Sequence, residues 1–288
     1  MNRKRVVLYF ALVIIFTLYN FYFRPIGSNP LVTSEYKKSD AYINDLYMSD
    51  EYFKKNILAK EDYHFYDEMI SASLKDKGKV SIECYNDCRS KLINSYRALY
   101  LDHPELISFV GINYFNIDGK SISYQNFGNL SQIKYFFGVR RIARELDIIR
   151  KETKNLTEKE KIIYVYDYVA SHNYDRTFMY TKSNQSAYSF FTGGKSVCAG
   201  FAKASQLIFQ NIGINSYLVL SDEHMWNYVE YEGKYYVFDA TVGASYRDKK
   251  SYHFYEGLGR TTINSNYGLY VDLYPPIEET PLKDIFGL

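Results

Sequence analysis

Eighteen consecutive residues, Val6 to Phe23 (VVLYFALVIIFTLYNFYF), carry no charge. As a helix this run would rise roughly 27 Å, close to the ~30 Å hydrocarbon core of a bilayer. Such a segment has to leave water, so it belongs either in a membrane or in a protein core. A core helix would show polar positions at a helical period, and this one offers Thr17 and Asn20. A cleaved signal peptide would carry an apolar region of about 7–15 residues closed by a small-x-small site, whereas this run ends FYFRPIGSN. The expectation is an uncleaved anchor over residues 6–23. Arg3, Lys4 and Arg5 precede it and Arg24 alone follows closely, so the positive-inside bias makes residues 1–5 a cytoplasmic tip. The chain is then expected to be a single-pass protein of the cell membrane, with its C-terminal domain extracellular.

The charge balance agrees with that division. The 288 residues carry 35 Lys+Arg against 33 Asp+Glu, and without the three basic residues of the tip the remainder is 32 against 33, a net of −1. No basic patch of the kind nucleic acid requires is visible, so no nucleic-acid partner is expected. Hydrophobic residues at 47% exclude wholesale disorder, and three cysteines exclude a disulfide scaffold.

Residues 24–35 read as a linker, with Pro25 and Pro30 and no hydrophobic period. Residues 36–150 read as a mostly helical N-terminal region. Within it, helical spacing runs from Tyr36 to about Leu74, is broken by KDKGK at 75–79, and resumes from Ser81 to Leu101. His103-Pro104 stops that second helix, because the residue before proline avoids the α region. A strand pair is expected around Asp118-Gly119, and another helix over Gln132–Lys151. Cys84 and Cys88 would lie one turn apart on the helix beginning at Ser81. Side-chain directions there suit a disulfide poorly, and a metal site would need two more ligands.

Residues 151–288 form the last expected domain. Thr157-Glu-Lys-Glu160 fits a capping box at a helix start. Ser186–Phe191 precedes the pair Gly193-Gly194, and Cys198–Asn211 reads as a helix with Gly213 at its C′ position. Three strands follow over 215–220, 225–231 and 234–239, the last two joined by Glu232-Gly233.

Cys198 opens its helix just after two glycines, where unpaired amides and the positive dipole end favour a thiolate. His224 stands at the mouth of one strand and Asp239 at the end of its hairpin partner, so antiparallel pairing can bring imidazole and carboxylate together. A nucleophile at a helix start, a base on a strand and an orienting acid are the parts of a thiol acyl-transfer site. The alternatives at this point are core filling for Cys198, a surface turn for His224 and a helix cap for Asp239. No HExxH, P-loop or dinucleotide fingerprint occurs, so no metal and no cofactor are called for.

The runs GGKSVCAGFAKASQLIFQNIGINSYLVL and HMWNYVEYEGKYYVFDAT, with IYVYDYVASHNYD and NQSAYSFF upstream, resemble the transglutaminase-like superfamily. SYRALYLDHPELISFVGINYF resembles an N-terminal extension that accompanies this domain in bacterial cell-surface members. The resemblance implies an α+β fold with a papain-like core, the Cys-bearing helix packed on an antiparallel sheet, preceded here by the helical N-terminal region and one transmembrane helix. It implies Cys198 as nucleophile, His224 as base and then acid, and Asp239 as orienter. It further implies an oxyanion or substrate pocket that includes Gln185 and Tyr188, with Trp226 packed beneath the site. Met225 stands where a small residue is common, and could crowd the base or line the pocket. After Asp239, Ala-Thr-Val-Gly replaces the more usual Thr-Trp-Asp-Asp.

The function so implied is cysteine-dependent acyl transfer at amide or peptide bonds, hydrolytic (protease or amidase) rather than crosslinking. The expected substrate is a protein or peptide, with cell-wall peptide among the candidates. The competing reading is a catalytically inactive binding module or cell-surface scaffold.

Overall fold

The computed structural model describes residues 49–74, 79–81, 84, 86–105, 116–117, 121–123, 132–177, 184–193, 195–221, 223–246, 251, 253–261 and 271–288. The expected anchor at 6–23 and linker at 24–35 lie outside these residues. Among the described residues no helix is long and apolar enough to cross a membrane.

The helical N-terminal stretch resolves into α1 (Tyr52–Ile57), a 3₁₀ turn (Lys60–Asp62), α2 (Tyr63–Leu74) and α3 (Cys88–Asp102). Asp102, the last residue of α3, is buried and ties all three together. Its two carboxylate oxygens accept from the Phe53 and Lys54 amides of α1, each at 2.9 Å, and Oδ2 also accepts from the Tyr66 hydroxyl of α2 at 3.0 Å. The same hydroxyl pairs with His103 Nε2 at 2.7 Å, and His103 Nδ1 pairs with Glu105 at 2.5 Å. His103-Pro104 thus ends the helix as expected, and the residues around that stop also form the polar lock of the N-terminal helices. A small antiparallel sheet pairs β1 (Lys79–Ser81), which precedes α3, with β2 (Asn116–Ile117) and β3 (Ser121–Ser123), which follow it, in the order β1-β3-β2. The expected hairpin around Asp118-Gly119 is the β2–β3 pair. Strand β1 was not expected, because KDKGK reads only as a helix breaker.

One expectation here is overturned. Cys84 and Cys88 form a disulfide, with Cα atoms 5.5 Å apart. The helix begins at Cys88 and not at Ser81, and Asp87 before it adopts a left-handed conformation at φ 49°. Cys84 is therefore outside the helix, free of the side-chain directions that would have kept the sulfurs apart.

Helix α4 (Gln132–Thr153) crosses the boundary expected at 150/151. Its Val139, Ile142, Ala143, Leu146 and Ile149 join the same buried cluster as the elements that follow. Those are α5 (Glu158–Ala170), α6 (Ala187–Phe191), α7 (Cys198–Asn211), strands β4 (Ser216–Leu220), β5 (Met225–Tyr231) and β6 (Lys234–Phe238), α8 (Ala240–Tyr246) and the terminal α9 (Leu282–Phe286). The capping box at the start of α5 is present in both directions: Thr157 Oγ1 accepts from the Glu160 amide, and Glu160 accepts from the Thr157 amide.

Helix α7 is the centre of the molecule. Every residue except Gln210 is buried, as expected for a helix apolar on most of its circumference. One side packs into the large cluster with α4 and α5. Ala199 and Ala202 face a second cluster shared with Phe53, Tyr66, Leu99 and Tyr100 of the N-terminal helices. The N-terminal region is consequently built onto the helix that carries the cysteine. The sheet runs β4-β5-β6, fully antiparallel. Asn227 of β5 donates to the Ala202 carbonyl at 3.0 Å, fixing helix against sheet. The β5–β6 turn holds Glu232 and Gly233 at φ 50° and 76°, the two positive values that a type I′ hairpin needs.

The disulfide closes a short loop, so its stabilisation is small. Cys84→Ser/Cys88→Ser is expected to lose about 2 kcal/mol of stability in urea denaturation. Alkylation of Cys198 should be unaffected, since the bridge lies at the far end of α3 from Tyr100 and Leu101.

Candidate active site

Cys198 is the first residue of α7, 7% exposed, and the free thiol of the three cysteines. Val197 before it is extended and offers no side-chain cap. The amides of Gly200 and Phe201 turn back to the Val197 carbonyl. Among the described residues no acceptor takes up the amides of Cys198 and Ala199, which leaves two oriented donors beside the sulfur.

The loop before α7 is pinned from two sides. Tyr174 and Ser196 form a parallel bridge, with the Asp175 amide donating to the Ser196 carbonyl at 2.8 Å. Asn184 donates from its side chain to Asp175 at 3.0 Å and accepts the Val197 amide on its carbonyl at 2.9 Å. Ser189 Oγ and Ser196 Oγ lie 2.7 Å apart. Gly200 lets these segments approach: a Cβ there would come within 2.9 Å of Ser196 and 3.0 Å of the Ser186 carbonyl.

His224 leads into β5 from a turn closed by Ser221, whose amide donates to the His224 carbonyl at 2.8 Å and whose hydroxyl accepts the His224 amide at 3.1 Å. Its Nε2 lies 2.9 Å from Asp239 Oδ2. The Cys198 side chain is the other group close enough to favour the charged ring. Burial works against a charged imidazole here. The hydrogen bond to Asp239 and the proximity of Cys198, with the charges behind them, outweigh it and raise His224 to about 10. The ring stacks on Trp226, with centroids 5.8 Å apart at 20°.

Asp239 lies just past β6 and is 1% exposed. Its Oδ1 accepts from the Thr241 amide at 3.2 Å, and its Oδ2 is shared between His224 and Arg260 Nη1 at 3.3 Å. Its own amide donates to the Gly257 carbonyl at 3.2 Å. The turn carrying Gly257 is held by Tyr166, which donates to the Phe254 carbonyl at 2.7 Å and accepts the Gly257 amide at 3.2 Å. A Cβ at Gly257 would fall 1.9 Å from the Asp239 carbonyl oxygen, so the close approach requires glycine.

The expected site residues therefore separate. His224 and Asp239 pair directly, with Trp226 packed against the imidazole and Cys198 near enough to favour its charged form. Met225 turns into the cluster containing Ala199, Leu218 and the N-terminal helices. Gln185 is half-buried and accepts Lys203 Nζ on its carbonyl at 3.3 Å. Tyr188 lies against α4: a Cβ on Gly138 would meet its Cε2 at 1.8 Å. The unusual Ala-Thr-Val-Gly after Asp239 opens α8, where Ala240, Thr241 and Gly243 are buried. Sequence reading missed Arg260, Gly257 and Tyr166, which act on Asp239 from distant positions and form no local pattern. Among the described residues no group of His, Cys, Asp and Glu could hold a metal ion.

Two consequences are measurable. A proton held by native His224 and absent from the unfolded chain stabilises the fold. The stability lead of wild type over His224→Ala should be full below pH 6.5 and shrink as pH rises through about 10. A lead that grows over that range would contradict the site. Gly257→Ala should cost about 1–3 kcal/mol through overpacking and drop the His224 titration midpoint seen by NMR.

Curated proteins contain no significant match to the chain. Residues 142–240, from within α4 to the residue after Asp239, match the family model of the transglutaminase-like superfamily, and the α+β domain built on them is transglutaminase-like.

Proposed function

We propose that this chain is an enzyme of cysteine-dependent acyl transfer at amide or peptide bonds, and that it hydrolyses its substrates. The observation that carries the reading is the hydrogen-bonded His224–Asp239 pair, whose charged imidazole is favoured by the nearby Cys198. The Cys198 thiolate attacks the carbonyl carbon, a C–S bond forms and the carbonyl electrons move onto oxygen. The Cys198 amide is oriented to meet that oxygen. The oxyanion then collapses, the C–N bond breaks, and the imidazolium gives its proton to the leaving amine. Water attacks the resulting thioester with His224 now accepting its proton, and the acid leaves as the thiolate reforms. Asp239 orients the ring throughout. Hydrolysis is preferred over crosslinking because the sequence offers no lysine-binding feature for an amine acceptor.

The substrate class in this reading is a protein or peptide, with cell-wall peptide among the candidates. The location in this reading is the outer face of a cell membrane, anchored through residues 6–23. Two observations support it: the uncharged run behind three basic residues, and the Cys84–Cys88 disulfide, which suits an oxidising compartment.

A thiol-directed amide-mimic probe tests the chemistry. Wild type is expected to label far faster than free cysteine, Cys198→Ala not at all, and His224→Ala at least about 1,000-fold more slowly. Equal labelling of wild type and Cys198→Ala would mean that the fold has kept a binding role without turnover.

A further inference from the structure

Tyr100 belongs to α3, outside the segment that matches the transglutaminase-like family, yet it packs with the first turn of the cysteine's helix. It shares a buried cluster with Ala199 and Met225, the residues that directly follow Cys198 and His224. Two contacts fix this end of α3 along α7. Gln206 Nε2 donates to the Leu101 carbonyl at 3.0 Å, and Lys203 Nζ lies over the Tyr100 ring, 4.1 Å from its centroid. Lys203 also donates to the Gln185 carbonyl, so one buried amine, its pKa lowered by burial to about 7, braces Tyr100 on one side and the loop before α6 on the other. The ring is 7% exposed, and its hydroxyl, which makes no hydrogen bond to a described residue, keeps a contact with solvent. Burial chiefly, and then the Cys198 charge, push the phenol's proton affinity up, so the O–H persists as a donor at every working pH.

A solvent-open donor without a protein acceptor, on a ring packed in the cluster that holds Ala199 and within reach of the nucleophile's charge, fits an acceptor that arrives with the substrate. We propose that the Tyr100 hydroxyl donates a hydrogen bond to the acyl oxygen of the substrate on Cys198, and that α3 thereby completes the active site. This rests on the acyl-transfer reading above. As the C–S bond forms and the carbonyl electrons move onto oxygen, the Tyr100 O–H and the Cys198 amide converge on that oxyanion. The phenol keeps its proton, and the leaving amine takes its proton from His224. In this arrangement Tyr100 would be a catalytic residue, and Lys203 a positioning residue that holds its ring.

The test compares two reactions of Cys198 in the full-length protein. Acylation by an activated ester passes through an oxyanion, whereas alkylation by iodoacetamide does not. Tyr100→Phe removes a hydroxyl that bonds to no described residue, so packing should be retained. Acylation is expected to slow about 100-fold while alkylation stays within about twofold of wild type. Unchanged acylation would overturn the proposal. So would an equal loss of both rates, which is what a purely structural role for Tyr100 predicts. If wild type alkylates normally but acylates no faster than free cysteine, the acyl-transfer reading itself fails and takes this proposal with it. Lys203→Met supplies a second readout. It should slow acylation more than alkylation, and equal effects on the two rates would count against the brace.

Discussion

The contact between His224 Nε2 and Asp239 Oδ2 organises the C-terminal half of this protein, because almost every neighbouring feature keeps one of those two groups in position. The residues are 15 apart in sequence and meet because a type I′ turn sets the register of β5 and β6. Asp239 is buried, and a buried carboxylate is costly unless its oxygens are satisfied. Here the Thr241 amide, the His224 ring and the Arg260 guanidinium share that task. Gly257 and Tyr166 support the backbone from behind. The same carboxylate keeps the imidazole charged in a setting where burial alone would discharge it.

The second constraint is the burial of α7. A helix with thirteen of its fourteen residues buried must be covered all round, and one core cannot do it. The α4–α5 cluster covers one face and the sheet another, which leaves Ala199 and Ala202 for the N-terminal helices. The site and the N-terminal region are thus coupled by packing before any chemistry is considered. Asp102 holds α1, α2 and α3 as one unit, and that unit packs Tyr100 into the cluster that contains Ala199.

How much of this was legible in the sequence follows from the range of each interaction. Helix α7 was readable to the residue, because it starts after a glycine pair and ends before a glycine at φ 78°. The β5–β6 hairpin and the Thr157 capping box were equally plain, since turn and cap chemistry are local. The Cys84–Cys88 disulfide was misjudged for one reason. A helix start moved by seven residues removes the geometric objection, and Asp87 in a left-handed conformation has no strong sequence signature. The boundary at 150/151 cut through α4 because charge density in that helix hides the apolar stripe that joins the core. Arg260, Gly257 and Tyr166 were invisible because each acts across the fold. Tyr100 lay near the end of a helix whose stop at His103-Pro104 was read correctly but whose docking partner could not be.

The most direct measurement of the central claim is the intact mass of the protein after acid quench during turnover of an activated peptide ester. The account predicts a mass increase equal to the acyl group, located on Cys198, released by hydroxylamine as a thioester should be, and absent from Asp239→Asn and His224→Ala at the same time point. An acyl group found on another residue, or accumulation that is unaltered in both variants, would contradict it.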